Sequence, residues 1–197
     1  MCIGGAGVTR RLGAAKIRML ATLLLASLPA VLAGVSARAE QAIPEQQVKA
    51  AYILNFTRYA SWPAPVLVEP HAPLVVCMVG PGVADMARQL QKRVAGSHPL
   101  ELRIVNRVEE TEPCHAVYLA LPERSRQSAW LTRMREQAIL TIGDSASFLA
   151  DGGMINMLLV DGSIRFEVNL TAAKHSGVSL NPRMLALAER VVGGEPK

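Results

Sequence analysis

Leu74-Val75-Val76-Cys77-Met78-Val79-Gly80 is an unbroken apolar run, closed by Gly80-Pro81-Gly82. A run that does not alternate suits a strand buried on both faces, and such strands belong to parallel sheets. An amphipathic stretch follows at once. Its spacing predicts a helix over 83–94, with Met86, Leu90 and Val94 inward and Arg88, Lys92 and Arg93 outward, stopped by Gly96. The pattern then repeats. A strand is expected over 100–105, where apolar residues alternate with Glu101 and Arg103, and a fully apolar one over 116–121. A helix over 125–137, capped by Ser125, leads to a fourth strand over 138–142. A short helix over 145–150 leaves through Asp151-Gly152-Gly153. Alternating strands and helices predict an open, mostly parallel sheet covered on both faces.

The flanks differ from this middle. Upstream, Pro44 suits the first turn of a helix, and Val48, Tyr52, Ile53, Leu54, Phe56 and Tyr59 recur at helical spacing up to Trp62-Pro63. Lys49 and Arg58 fall on the wetter side of that helix. Downstream, 154–160 and 163–169 read as strands joined by Asp161-Gly162, a strong hairpin signal. Ile164, Phe166 and Val168 alternate with Arg165, Glu167 and Asn169, so one face is apolar and the other polar. Helices over 170–174 and 182–191 close the chain. The expected fold is one α/β domain over 40–197, with a mostly parallel open sheet, covering helices and a C-terminal β-hairpin.

Residues 1–39 read as a cleaved signal peptide. Arg10, Arg11, Lys16 and Arg18 precede an uncharged apolar run over 19–35, which ends in Ala37-Arg38-Ala39. That order of charge, apolar run and small-x-small site is what a signal peptidase accepts, with the cut before Glu40. The run is short for a membrane span and holds Pro29 and Gly34. The leader also explains the formal charge of +5: five of the 21 Lys and Arg lie in it, and the remainder equal the 16 Asp and Glu downstream. A nearly neutral domain with no basic stripe gives no electrostatic footprint for nucleic acid.

Reactive groups are sparse. Asp144, Asn156, Arg165, Glu167 and Asn169 form the most chemical-looking set, with Glu167 as a general base and Arg165 as an anion clamp. Alternate positions on a strand suit cross-strand pairing equally well, and no nucleophile accompanies them. His71 and His98 sit in polar loops, and His115 follows Cys114. Neighbours on a strand point to opposite faces, which argues against a Cys-His dyad. Gly80-Pro81-Gly82 between strand and helix could receive an anion, yet it lacks the remaining glycine of a dinucleotide fingerprint. Cys77 and Cys114 are either a disulfide, which an oxidising compartment favours, or two buried thiols. Neither a metal nor a cofactor is indicated. A concave polar pocket near Gly80 and Asp144 would instead favour a small-ligand-binding module.

Several blocks together resemble the YfiR-like family. They are Val48-Lys49-Ala50-Ala51-Tyr52-Ile53-Leu54-Asn55-Phe56 with Trp62-Pro63, then Cys77 and Gly80, then Cys114-His115. Leu140-Thr141-Ile142 and Phe148 follow, then Gly152-Gly153-Met154-Ile155-Asn156 and Arg165-Phe166-Glu167-Val168-Asn169. Ala172 and Leu180-Asn181-Pro182-Arg183-Met184-Leu185 complete the order. The resemblance implies a periplasmic homodimer that is not an enzyme. Its implied activity is to bind and repress the periplasmic sensory part of an inner-membrane diguanylate cyclase, lowering cyclic di-GMP and biofilm formation. An outer-membrane lipoprotein is a further implied partner. Cys77 and Cys114 match one cysteine pair of that family. A second pair, found in some relatives near the Gly-Gly turn, is missing here, so redox control through it does not carry over.

Overall fold

The computed structural model describes residues 44–194 apart from 68 and 70. The leader and its cleavage site lie outside the described residues. Glu45–Tyr59 forms α1, with Pro44 as its N-cap. The chain then runs through β1 (Ala60–Ser61), β2 (Leu74–Val79), α2 (Val83–Leu90), β3 (Val94–Ala95), β4 (His98–Ile104) and a 3-10 turn, Val108–Thr111. β5 (Ala116–Leu119), α3 (Arg124–Met134), β6 (Leu140–Gly143), β7 (Ile155–Val160) and β8 (Ser163–Asn169) follow. The last elements are α4 (Leu170–Ser176), β9 (Ser179–Leu180), α5 (Pro182–Leu185) and β10 (Arg190–Val192).

Eight strands form one sheet in the order β10-β8-β7-β6-β5-β2-β4-β3. β2 is buried along its whole length because β4 and β5 flank it, both parallel. β6 and β7 extend the parallel set, and β7 and β8 form the antiparallel hairpin. Asp161 and Gly162 take φ values of 48° and 73°. That left-handed pair is what a two-residue hairpin needs to match the strand twist. From β2 the chain first crosses to β4 and then returns to β5 on the other side. The strand order therefore reverses between β2 and β5, and the loops after these strands diverge there.

Apolar residues pack on both faces. On one, Ala50, Ile53 and Phe56 of α1 and Val83, Met86 and Leu90 of α2 meet Val76, Met78, Tyr118, Ile142, Phe166 and Val168. On the other, Trp130, Leu131 and Met134 of α3 meet Cys77, Val79, Val117 and Leu119.

Four local expectations are corrected. α2 ends at Leu90, short of Val94: Lys92 turns left-handed, and Val94-Ala95 pairs antiparallel with β4 instead, which protects that sheet edge. Val94 is consequently exposed rather than inward. Residues 145–150 form turns, not a helix, because the segment folds Phe148 beneath the sheet end. Ser125 does not cap α3; its hydroxyl donates to Glu123, the N-cap residue. The helix expected over 182–191 stops at Leu185, and Arg190–Val192 adds a parallel strand to β8. Pairing with an open sheet edge outweighed helical periodicity there.

Candidate functional site

Asn156 and Glu167 are register partners on the hairpin, and Arg190 is the register partner of Glu167 on β10. Glu167 was expected on an open polar face. It is 6% exposed because β10 lies along β8. Arg190 Nε donates to Glu167 Oε2 at 2.9 Å, and Asn156 Nδ2 donates to Oε1 at 3.2 Å. Both carboxylate oxygens are thus engaged. Asn156 Oδ1 is buried with no partner among the described residues. Arg165 stays exposed opposite Leu158 and does not join this group. Asn169 caps α4: its Oδ1 accepts from Ala172 N at 3.0 Å, while Nδ2 donates to the Leu149 carbonyl. Of the set singled out from sequence, Glu167 and Asn156 form a buried carboxylate-amide pair held from outside by the exposed Arg190, Asn169 caps a helix and Arg165 stays free.

Asp144 is drawn into a different network that the sequence reading missed. Lys49, expected on the wet side of α1, is only 8% exposed. Its ammonium lies 2.6 Å from both Asp144 Oδ2 and Glu45 Oε1. Burial alone lowers the affinity of this ammonium for its proton; the hydrogen bonds to Asp144 and Glu45 override that and raise its pKa above the ordinary value. Tyr118 donates its hydroxyl to the same Oδ2 at 2.8 Å. Burial, followed by the nearby Asp144 charge, pushes that phenol well above its ordinary pKa. Glu45 four residues before Lys49 was the available sequence signal, but such pairs usually sit on a solvated face.

This network borders a cleft of about 310 Å³ lined by Gln46, Pro81, Gly82, Tyr118, Leu121 and Asp144, among others. The cleft lies beyond the C-terminal ends of β2, β5 and β6, at the strand-order reversal, where open α/β sheets commonly bind ligands. Asp144, the charged residue of its lining, is already paired with Lys49 of α1.

Cys77 and Cys114 are joined by a disulfide, with Cα atoms 5.9 Å apart and both residues buried. His115 serves the fold around it. Its Nδ1 accepts from the Val75 amide at 2.9 Å, and Nε2 lies 3.2 Å from the Val66 carbonyl. Burial holds its pKa below the usual histidine value, only partly offset by the Val66 contact. Trp62 stacks edge-on to this ring and donates its indole N–H to the His115 carbonyl.

The Gly152-Gly153-Met154-Ile155 block also has a packing role. Phe148 is fully buried, and a Cβ at Gly153 or at Gly143 would overlap its ring. The two glycines form a slot for the phenyl group, and Met154 and Ile155 are buried beside it in sequence. Among the described residues, no group of three His, Cys, Asp or Glu is placed to hold a metal.

A crystal structure of a conserved domain protein from Vibrio cholerae O1 biovar El Tor str. N16961 is similar at TM-score 0.49 and 12% identity. The match covers 76% of this chain and spans 60% of the length of that one. The YfiR/HmsC-like family matches residues 46–189, from the first turn of α1 to the approach of β10. Trp62, the disulfide, the phenylalanine slot, the Asn156–Glu167 pair and the Asn169 cap all fall within that span, and the chain belongs to the YfiR/HmsC-like family.

Proposed function

We propose that this protein is a periplasmic regulator that binds the periplasmic sensory region of an inner-membrane diguanylate cyclase and holds it inactive. Release of the cyclase would raise cyclic di-GMP and favour biofilm. Family membership carries this reading: at the family level these are periplasmic regulators of diguanylate cyclase signalling. The Cys77–Cys114 disulfide supports an oxidising compartment, and the signal-peptide pattern read in the sequence of residues 1–39 agrees with it. The nucleophile and base that catalysis would need are otherwise engaged, the thiols by each other and Glu167 by Arg190, while Arg165 stands apart from both.

Repression requires only that the regulator bind one state of the cyclase better than the other, and its shift is bounded by that difference. Leu159, 62% exposed, and Val160 sit at the hairpin tip, and Tyr59 is exposed at the end of α1. These supply the apolar contact surface in our reading, with a homodimer presenting it twice and an outer-membrane lipoprotein competing for the regulator.

Co-purification of the tagged protein from membranes of its own host tests the proposal. Recovery of a transmembrane diguanylate cyclase, lost on Leu159→Glu or Tyr59→Glu, is the expected result. Binding undiminished by either substitution would sink the choice of surface. A preparation with no membrane partner would sink the repressor reading and favour a small-ligand module.

A further inference from the structure

The face packed by α3 is incompletely covered. Trp130, Leu131 and Met134 lie over β2 and β5, and no residue of β7 or β8 belongs to that apolar cluster. Between the end of α3 and α4 lies a cavity of about 370 Å³. Leu131, Met134, Leu149 and Met154, all buried, give it apolar walls. Arg135 and His175, both exposed, line it as well, and among the described residues no aspartate or glutamate does. Arg135 makes no ion pair among the described residues. Its guanidinium stands over Gly152, where an added Cβ would lie 3.7 Å from Nη2. The contrast with the switch-point cleft is one of charge: there Lys49 and Asp144 satisfy each other, while here, among the described residues, the Arg135 cation borders a cavity of mixed apolar and neutral polar lining with no carboxylate to meet it.

We propose that this cavity binds a small organic carboxylate with an apolar body. The planar guanidinium of Arg135 offers paired N–H donors matched to a carboxylate. The apolar body lies against Leu131, Met134, Leu149 and Met154, and its burial supplies the rest of the affinity. The volume falls within the range of about 300–1,000 Å³ usual for small-molecule sites. Asn169 acts as a wall, since both ends of its amide are already hydrogen-bonded. The site is independent of the repressor reading, because none of its lining residues lies at the hairpin tip or on α1.

The test is titration of the isotopically labelled exported protein with 3-phenylpropanoate, followed by amide NMR. Saturable shifts centred on Leu149, Gly152, Met154 and Ala172 are expected. Arg135→Gln, an exposed substitution whose fold the remaining spectrum reports, should weaken binding about tenfold, the usual scale for one charge-assisted contact. The neutral 3-phenylpropan-1-ol should bind about as weakly to the unaltered protein, having lost the same contact. Inorganic phosphate should not displace the probe. Absence of saturable shifts, shifts centred elsewhere, undiminished binding to R135Q, or displacement by phosphate would each overturn the proposal.

Discussion

Replacing both Cys77 and Cys114 by alanine should cost this domain a large part of its stability. The two residues are separated by 37 positions, a loop that contains α2, β3 and β4. Closing a loop of that length removes about 3.8 kcal/mol of chain entropy from the unfolded state at 25 °C in the loop-closure treatment. The alanines also remove two buried sulfur atoms, which adds roughly 1 kcal/mol at each site for lost packing. The expected loss is therefore about 4–6 kcal/mol, comparable with the whole stability of a marginal domain. Urea unfolding followed by far-ultraviolet circular dichroism measures it. The denaturant slope should rise as well, because the unfolded chain without its crosslink exposes more surface. Cys114→Ala alone should recover most of the effect, since it opens the same loop while removing one sulfur. A loss below about 2 kcal/mol with an unchanged slope would refute the entropic argument.

Further outcomes follow from the packing and charge. Gly153→Ala forces a methyl group against the fully buried Phe148 ring, and should cost about 1–3 kcal/mol in urea unfolding; a neutral result would mean that the slot yields easily. Lys49→Met strands Asp144 and should destabilise more than the double variant Lys49→Met/Asp144→Asn, as a double-mutant cycle would show. Since the folded pKa of Lys49 is raised, the stability it contributes is present below the ordinary lysine value of 10.5 and is lost as pH climbs through the folded value. His115 works in the opposite sense: its folded pKa is lowered from 6.5, so stability falls as pH drops below 6.5 and levels off beneath the folded value. His115→Gln should flatten that acid slope; a slope that persists would assign it to other groups.

Much of the fold was legible because its signals are local. The apolar run at β2, the Gly80-Pro81-Gly82 turn, the apolar β5 and the Asp161-Gly162 hairpin each declare themselves within a few residues. Edges were harder. Val94 and Val191 carry helical spacing in the sequence, yet both lie in strands, because unpaired sheet edges were within their reach. The candidate site was legible only in part. Asn156, Glu167 and Asn169 were found by their place on the hairpin, but their roles depended on elements elsewhere in the chain.

The sequence by itself determined the class of the fold, the disposition of apolar faces and the family, since hydrophobic period, turn chemistry and block order are read along the chain. Only the tertiary structure decided which polar groups are buried and what they meet. Lys49 reaches Asp144 across 95 positions, and Arg190 reaches Glu167 across 23. A charged side chain reads as solvated until its partner is known. That partner is set by which strands and helices pack together, and no local pattern encodes it.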